Sequence, residues 1–170
     1  MKTIYLAGGC FWGVQKYFDQ FDGVTATEAG YANGPEAAPS YREVCGSSGH
    51  AETVKIVYDE GRISLGELLE YYFLVIDPLS VNRQGGDVGI QYRTGIYYTE
   101  ESQLPEIEAA YRAKERQAGE KLAVELKPLS NFFPAEEYHQ KYLEKNPGGY
   151  CHIPREMFTL EQRRRSELRE

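Results

Sequence analysis

Among the 170 residues are three cysteines, and one of them sits where a thiol could react. Cys10 lies in "TIYLAGGCFWG" (3–13), between a glycine pair and two large aromatics. The residues before it read as a strand and those after it as a helix. Its sulfur is therefore expected at a helix N-terminus, among unpaired N–H groups and the positive end of the macrodipole. Such a site can draw a thiol from ~8.5 into the range ~3.5–7.5 and populate the nucleophilic thiolate. Gly8 and Gly9 are expected to turn the backbone tightly and leave the sulfur open. A free cysteine is more commonly a small buried hydrophobe; the strand–Gly–Gly–Cys–helix setting tips the reading toward reactivity.

Residue spacing narrows the chemistry. A Cys-x-x-C pair is excluded because Gly13 holds the second position, and Lys16 stands where a phosphatase loop needs arginine. Phe11 and Trp12 suit a small apolar group held beside the sulfur, although Phe11 serves core packing equally well. In the strand predicted over 51–58, Glu52 shares parity with Val54, Ile56 and Tyr58, which points a carboxyl toward the buried side. Desolvation favours the neutral acid, so Glu52 is a candidate proton donor; a strand-end glutamate bent out to solvent is the plainer alternative. A thiol hydrolase or acyltransferase using Cys10 with His50 or His139 as base is the rival reading. Zinc is disfavoured, since Cys45, His50, Cys151 and His152 include no C-x-x-C pair.

The elements that must position these groups follow from periodicity. Strands are expected at about 3–7, 23–31, 51–58, 90–99 and 123–129, with an irregular segment over 32–50. Helices are expected at about 11–21, after Ser64 (with Glu67 as a capping-box pair), at about 101–117, and from Pro134 to about Glu144. The order β-α-β-β-α-β-α-β-α implies an α+β fold, a mixed sheet with packed helices resembling the ferredoxin-like split β-α-β two-layer plait. One domain is expected over 1–170, with about 146–170 as an irregular tail.

A net charge of −7 and a pI near 5.1 argue against nucleic-acid and anionic-membrane partners. The basic run at 163–165 is flanked by glutamates and reads as a solvated helix face. Fourteen tyrosines suggest a tyrosine-lined pocket. The apolar part of the N-terminus, Ile4 to Ala7, falls short of the ~7–15 residues of a signal h-region. An odd cysteine count without such a signal points to a reducing compartment, so a cytoplasmic protein is expected, and a monomer is expected as well.

"GGCFWG", "YREVCGSSGHAE", "GGDVGIQYRTGIYY", "AEEYHQKYL" and "NPGGYC", in that order over about 4–151, resemble the A class of peptide methionine sulfoxide reductases. The resemblance implies reduction of methionine S-sulfoxide in oxidised proteins or peptides, with no bound cofactor or metal. It implies that Cys10 is the nucleophile, that Phe11 and Trp12 enclose the substrate methyl, and that Glu52 protonates the departing oxygen. Tyr41 and Tyr92 would hydrogen-bond that oxygen, while Asp87, His139 and Tyr150 would support substrate or pocket. The sulfenic acid left on Cys10 condenses with a second thiol, giving a disulfide for thioredoxin or another dithiol. Cys151, after a glycine-rich segment able to swing inward, is favoured as that thiol, with Cys45 as the alternative. Three departures stand out: "CGSSGH" is short, Asn33 replaces a glycine and must tolerate the left-handed region, and "REMFTLEQRRRSELRE" (155–170) is given no role by the resemblance.

Overall fold

The computed structural model describes residues 1–35 and 37–163. β1 (Lys2–Gly8) is apolar on both sides, and both sides are covered: Ile4 and Leu6 enter the main core, Tyr5 and Ala7 a smaller cluster on the opposite face. Such a strand belongs in the middle of a sheet. It is followed by α1 (Phe11–Asp19), which buries Val14, Tyr17 and Phe18, then β2 (Val24–Ala32), the short α2 (Tyr41–Cys45) and β3 (Ala51–Tyr58). Next come α3 (Leu65–Leu74), the hairpin β4 (Arg83–Gln84) and β5 (Asp87–Val88), and β6 (Thr94–Tyr98). The chain continues through α4 (Leu104–Ala118), β7 (Glu125–Pro128), β8 (Phe132–Pro134) and α5 (Tyr142–Lys145).

Among the described residues, six strands form one mixed sheet in the order β7-β6-β1-β3-β2-β8. Neighbours are antiparallel except β6 and β7, which run parallel. The fold is thus α+β, as expected. No helix among the described residues is long and apolar enough to cross a membrane.

Tyr72 of α3 holds the sheet where the chain leaves it for Cys10. Its fully buried hydroxyl donates to the Ala7 carbonyl at 2.6 Å and accepts from the Gly95 N–H at 3.2 Å. The backbone then reverses at Gly9, whose φ of +88° favours glycine.

Several local expectations are corrected. The segment over 32–50 is not wholly irregular, because Ser40 and Glu43 build a capping box that starts α2; it is the same signature that starts α3 at Ser64 and Glu67. Pro134 ends a strand rather than starting a helix. β8 pairs with β2 at the sheet edge, where a proline is tolerated, and it can approach because Gly30 carries no side chain to meet the Phe132 ring. Within the expected helix, between Pro134 and Glu144, only Glu137–His139 (a 3-10 turn) and the start of α5 are helical among the described residues. The strand expected over 90–99 begins only at Thr94, because Ile90–Tyr92 turns tightly after Gly89 at φ +148°. The tail is not irregular throughout, as Arg155–Thr159 forms a 3-10 helix. Residues 164–165 of the basic run lie outside the described residues. Asn33 does adopt the left-handed region, at φ +51°, and its side chain binds Ser130 and Pro128 ahead of β8.

Candidate active site

Cys10 occupies the N-cap position of α1, but its sulfur is neither open nor acidified. The residue is 8% exposed. Burial pushes the thiol well above its ordinary value, the Glu52 charge adds to this, and the Trp12 N–H pulls the other way. The expected lowering therefore fails because desolvation of the sulfur outweighs one helix-terminal amide.

Glu52 reaches the same helix end from the sheet. It lies near the start of β3, opposite Tyr31 of β2, and is 1% exposed. Its Oε1 accepts the Phe11 N–H at 3.2 Å, so the carboxyl sits beside the amide that follows Cys10. Burial raises Glu52 to about 8, with the Phe11 hydrogen bond opposing and the Asp87 charge assisting. Oε2 is buried with no hydrogen-bond partner among the described residues. A protonated acid tied at one oxygen leaves the other free to donate.

Tyr41 and Tyr92 are both raised, first by burial and then by the charge of Glu52. Both phenols therefore stay protonated at neutral pH and share an electrostatic environment with the carboxyl. Asp87, at the hairpin β4–β5, is raised by burial and lowered by His152 and by a hydrogen bond from Tyr150, which is itself 53% exposed.

An aromatic stack extends the site along α1. The Trp12 indole lies flat on Tyr142, with centroids 3.7 Å apart and planes at 11°. Its Nε1–H donates to His139 Nδ1 at 2.9 Å. That bond assigns the imidazole proton to Nε2, and burial keeps the ring neutral by lowering its pKa. Tyr41 packs on the same imidazole at 4.2 Å, while Phe11 packs on His139 and Tyr31. Gln15 and Gln140 secure this wall: Gln140 bonds both the N–H and C=O of Ala29, and Gln15 accepts from the Lys141 N–H.

Neither histidine suits the role of thiol base. His139 Nδ1 is taken by Trp12, and His50 is tied at both nitrogens, to Ser48 at 2.8 Å and the Pro35 carbonyl at 2.9 Å. Among the described residues no group of three or more His, Cys, Asp or Glu is placed to hold a metal.

All three cysteines are free. Cys45 is exposed at the end of α2 and hydrogen-bonds Tyr41. Cys151 is half-buried, and no swing is needed to bring it to α1, since a Cβ on Gly13 would lie 2.5 Å from its sulfur. Its charge is also felt by Cys10. Cys151 borders a cavity of about 790 Å³ lined in part by Lys16, Leu143, Arg155 and Phe158.

Sequence reading missed Tyr142 and Gln140, and weighed His152 only in a zinc set that it disfavoured. The first two lie in "EYHQKYL", already singled out for His139. His152 follows Cys151 directly, and adjacency was its only signal.

A family model described as peptide methionine sulfoxide reductase matches residues 2–169. The peptide methionine sulfoxide reductase MsrA of Lachnoclostridium phytofermentans is 56% identical over 153 residues, which cover 89% of this chain and 92% of that protein. The crystal structure of reduced Mxr1 from Saccharomyces cerevisiae superposes with a TM-score of 0.86 at 37% identity, covering 90% of this chain and 91% of that one. The same yeast protein in complex with Trx2 gives a TM-score of 0.59 at 25% identity, over 83% and 84% of the two chains.

Proposed function

We propose a course of reaction for this chain, which belongs to the peptide methionine sulfoxide reductase family, with the sulfur of Cys10 as the nucleophile. The observation that carries the reading is a neutral carboxyl, Glu52, held beside the N-terminus of the helix that Cys10 caps. A sulfoxide oxygen leaves poorly until it is protonated. Glu52 gives its proton to that oxygen, and the carboxylate so formed accepts the Cys10 proton. A high thiol pKa in the resting enzyme is then no obstacle, because thiol deprotonation accompanies substrate protonation. Cys10 attacks the sulfoxide sulfur, the oxygen ends on Cys10 as sulfenic acid, and methionine leaves reduced.

Tyr41 and Tyr92 stabilise the oxygen as hydrogen-bond donors that do not ionise near neutrality. Phe11 and Trp12 hold the methyl group, and His139 fixes the indole through its Nδ1. Asp87 and Tyr150 border the substrate from the hairpin and the tail. Cys151 then displaces the sulfenic hydroxyl as water, forming a disulfide with Cys10. Its place on Gly13, and its charge bearing on Cys10, favour it over Cys45, which is exposed at the end of α2. Thioredoxin reduces that disulfide; the likeness to the Mxr1–Trx2 complex supports this partner.

We read the chain as one domain over 1–170, monomeric and cytoplasmic, in keeping with its three free thiols. The central strands, in the order β6-β1-β3-β2 with α1 and α3 as crossovers, support the split β-α-β plait, with β7 and β8 added at its edges. Methionine released from a sulfoxide peptide without reductant tests the reading. Cys10→Ser is expected to release none, and Cys151→Ser a single equivalent that stalls as sulfenic acid. Continuous turnover by Cys151→Ser with thioredoxin would remove Cys151 from the scheme.

A further inference from the structure

The dipeptide Cys151-His152 straddles Cys10, each side chain seated on a glycine of α1 or its entry. Cys151 rests on Gly13, one helical turn after Cys10. The His152 ring rests on Gly9, where a Cβ would lie 3.1 Å from Cε1. Gly9 admits no other residue cheaply, both for its φ of +88° and because a Cβ would meet Gln84 at 2.8 Å.

The imidazole is sunk deeper than its chemistry favours. Its side chain is 5% exposed, and Nδ1 stands 3.7 Å from Asp87 Oδ2. Neither ring nitrogen, nor that carboxylate oxygen, has a well-formed hydrogen bond among the described residues, although the ring faces the Gly8 carbonyl. Burying a polar ring so poorly satisfied costs free energy, so something else must be gained from placing it there. The walls of its seat are tied down: Gln84 is held by the Asp77 backbone through Oε1 at 2.8 Å and Nε2 at 3.0 Å, and a Cβ on Gly85 would lie 3.5 Å from the His152 Cβ. On the other side the buried Ile153 donates its N–H to the Cys151 sulfur at 3.3 Å and packs on Gly13.

We propose that His152 is a positioning residue for recycling: wedged between the Gly9 turn, the β4–β5 hairpin and Asp87, it sets the register in which the Cys151 thiol lies over the first turn of α1. This rests on the reading of Cys151 as the resolving thiol. In that step a Cys10–Cys151 sulfur bond forms, the Cys10 sulfur–oxygen bond breaks, and the hydroxide leaves with the thiol proton as water. A thiol held in place reacts far faster than one on a free tail.

His152→Ala and His152→Gln test the proposal through two rates in the full-length protein: the methionine burst without reductant, and the decay of dimedone-reactive sulfenic acid. His152→Ala is expected to keep a burst of one methionine and to prolong the sulfenic acid at least about tenfold. His152→Gln, whose amide fills the seat and can donate to Asp87, is expected to recover most of the resolving rate. Disulfide formation by His152→Ala at the native rate overturns the proposal, as does loss of the burst, which would place His152 in the first step or in folding. Cys10→Ser and Cys151→Ser run alongside; sustained turnover by either would sink the underlying reading instead, and is a separate outcome.

Discussion

Glu52 Oε1 accepts the N–H of Phe11 at 3.2 Å, and Phe11 is the residue immediately after Cys10. One hydrogen bond thus ties the proposed proton donor on the sheet to the helix of the proposed nucleophile, and it does so with a carboxyl raised to about 8. The donor is competent only while protonated. The single-turnover rate of the native enzyme is therefore expected to be flat near neutrality and to fall as pH rises through about 8. Glu52→Gln keeps the shape but cannot transfer a proton, so its rate should drop by about 10²- to 10⁴-fold and lose that pH dependence. Stopped-flow measurement of methionine release across pH checks both statements.

Gly13→Ala would put a methyl where the Cys151 sulfur now sits, 2.5 Å from Cβ. Alanine ordinarily strengthens a helix by about 1 kcal/mol over glycine. Here that gain is expected to be offset by displacing the tail. The variant should keep its methionine burst, resolve its sulfenic acid more slowly, and expose Cys151 to faster alkylation. Mass spectrometry of timed alkylation reads the last effect.

How far the sequence foretold this arrangement depends on whether the signal was local. The strand–Gly–Gly–Cys–helix motif placed Cys10 at the start of α1, and the parity of β3 buried Glu52, because both follow from backbone geometry alone. The acidity of Cys10 did not follow, since it is set by desolvation from the rest of the molecule. The box at Ser40 and Glu43 carried the same signature as that at Ser64 and Glu67, but glycine and proline neighbours hid it. β8 was illegible because three residues make no period, and its pairing depends on a missing side chain at Gly30. His152 is buried by a hairpin and a turn far from it in sequence, so nothing around it foretold its place.

Trp12→Phe keeps an aromatic face for Tyr142 but removes the donor to His139 Nδ1. With the imidazole no longer held, a loss of about 1 kcal/mol, or roughly fivefold in kcat/KM, is expected. It should fall mainly on KM, because the indole is read as holding substrate rather than moving protons. Steady-state kinetics with a sulfoxide peptide separates the two parameters.

Tyr72→Phe removes the hydroxyl shared by Ala7 and Gly95. It leaves the Gly95 N–H without that acceptor, at a cost of about 1–3 kcal/mol. A Tm lower by several degrees is expected, together with slower chemistry at Cys10, since β1 ends there. Thermal melting and single-turnover rates on the same sample distinguish this from a loss of stability alone.

The protonation of Glu52 is the point on which the proposed reaction turns, and infrared difference spectroscopy between the native enzyme and Glu52→Gln reads it directly. A band from a protonated carboxyl is expected at neutral pH, disappearing as pH rises through about 8. A Glu52 already ionised at neutral pH, titrating in the ordinary carboxylate range, would contradict the account.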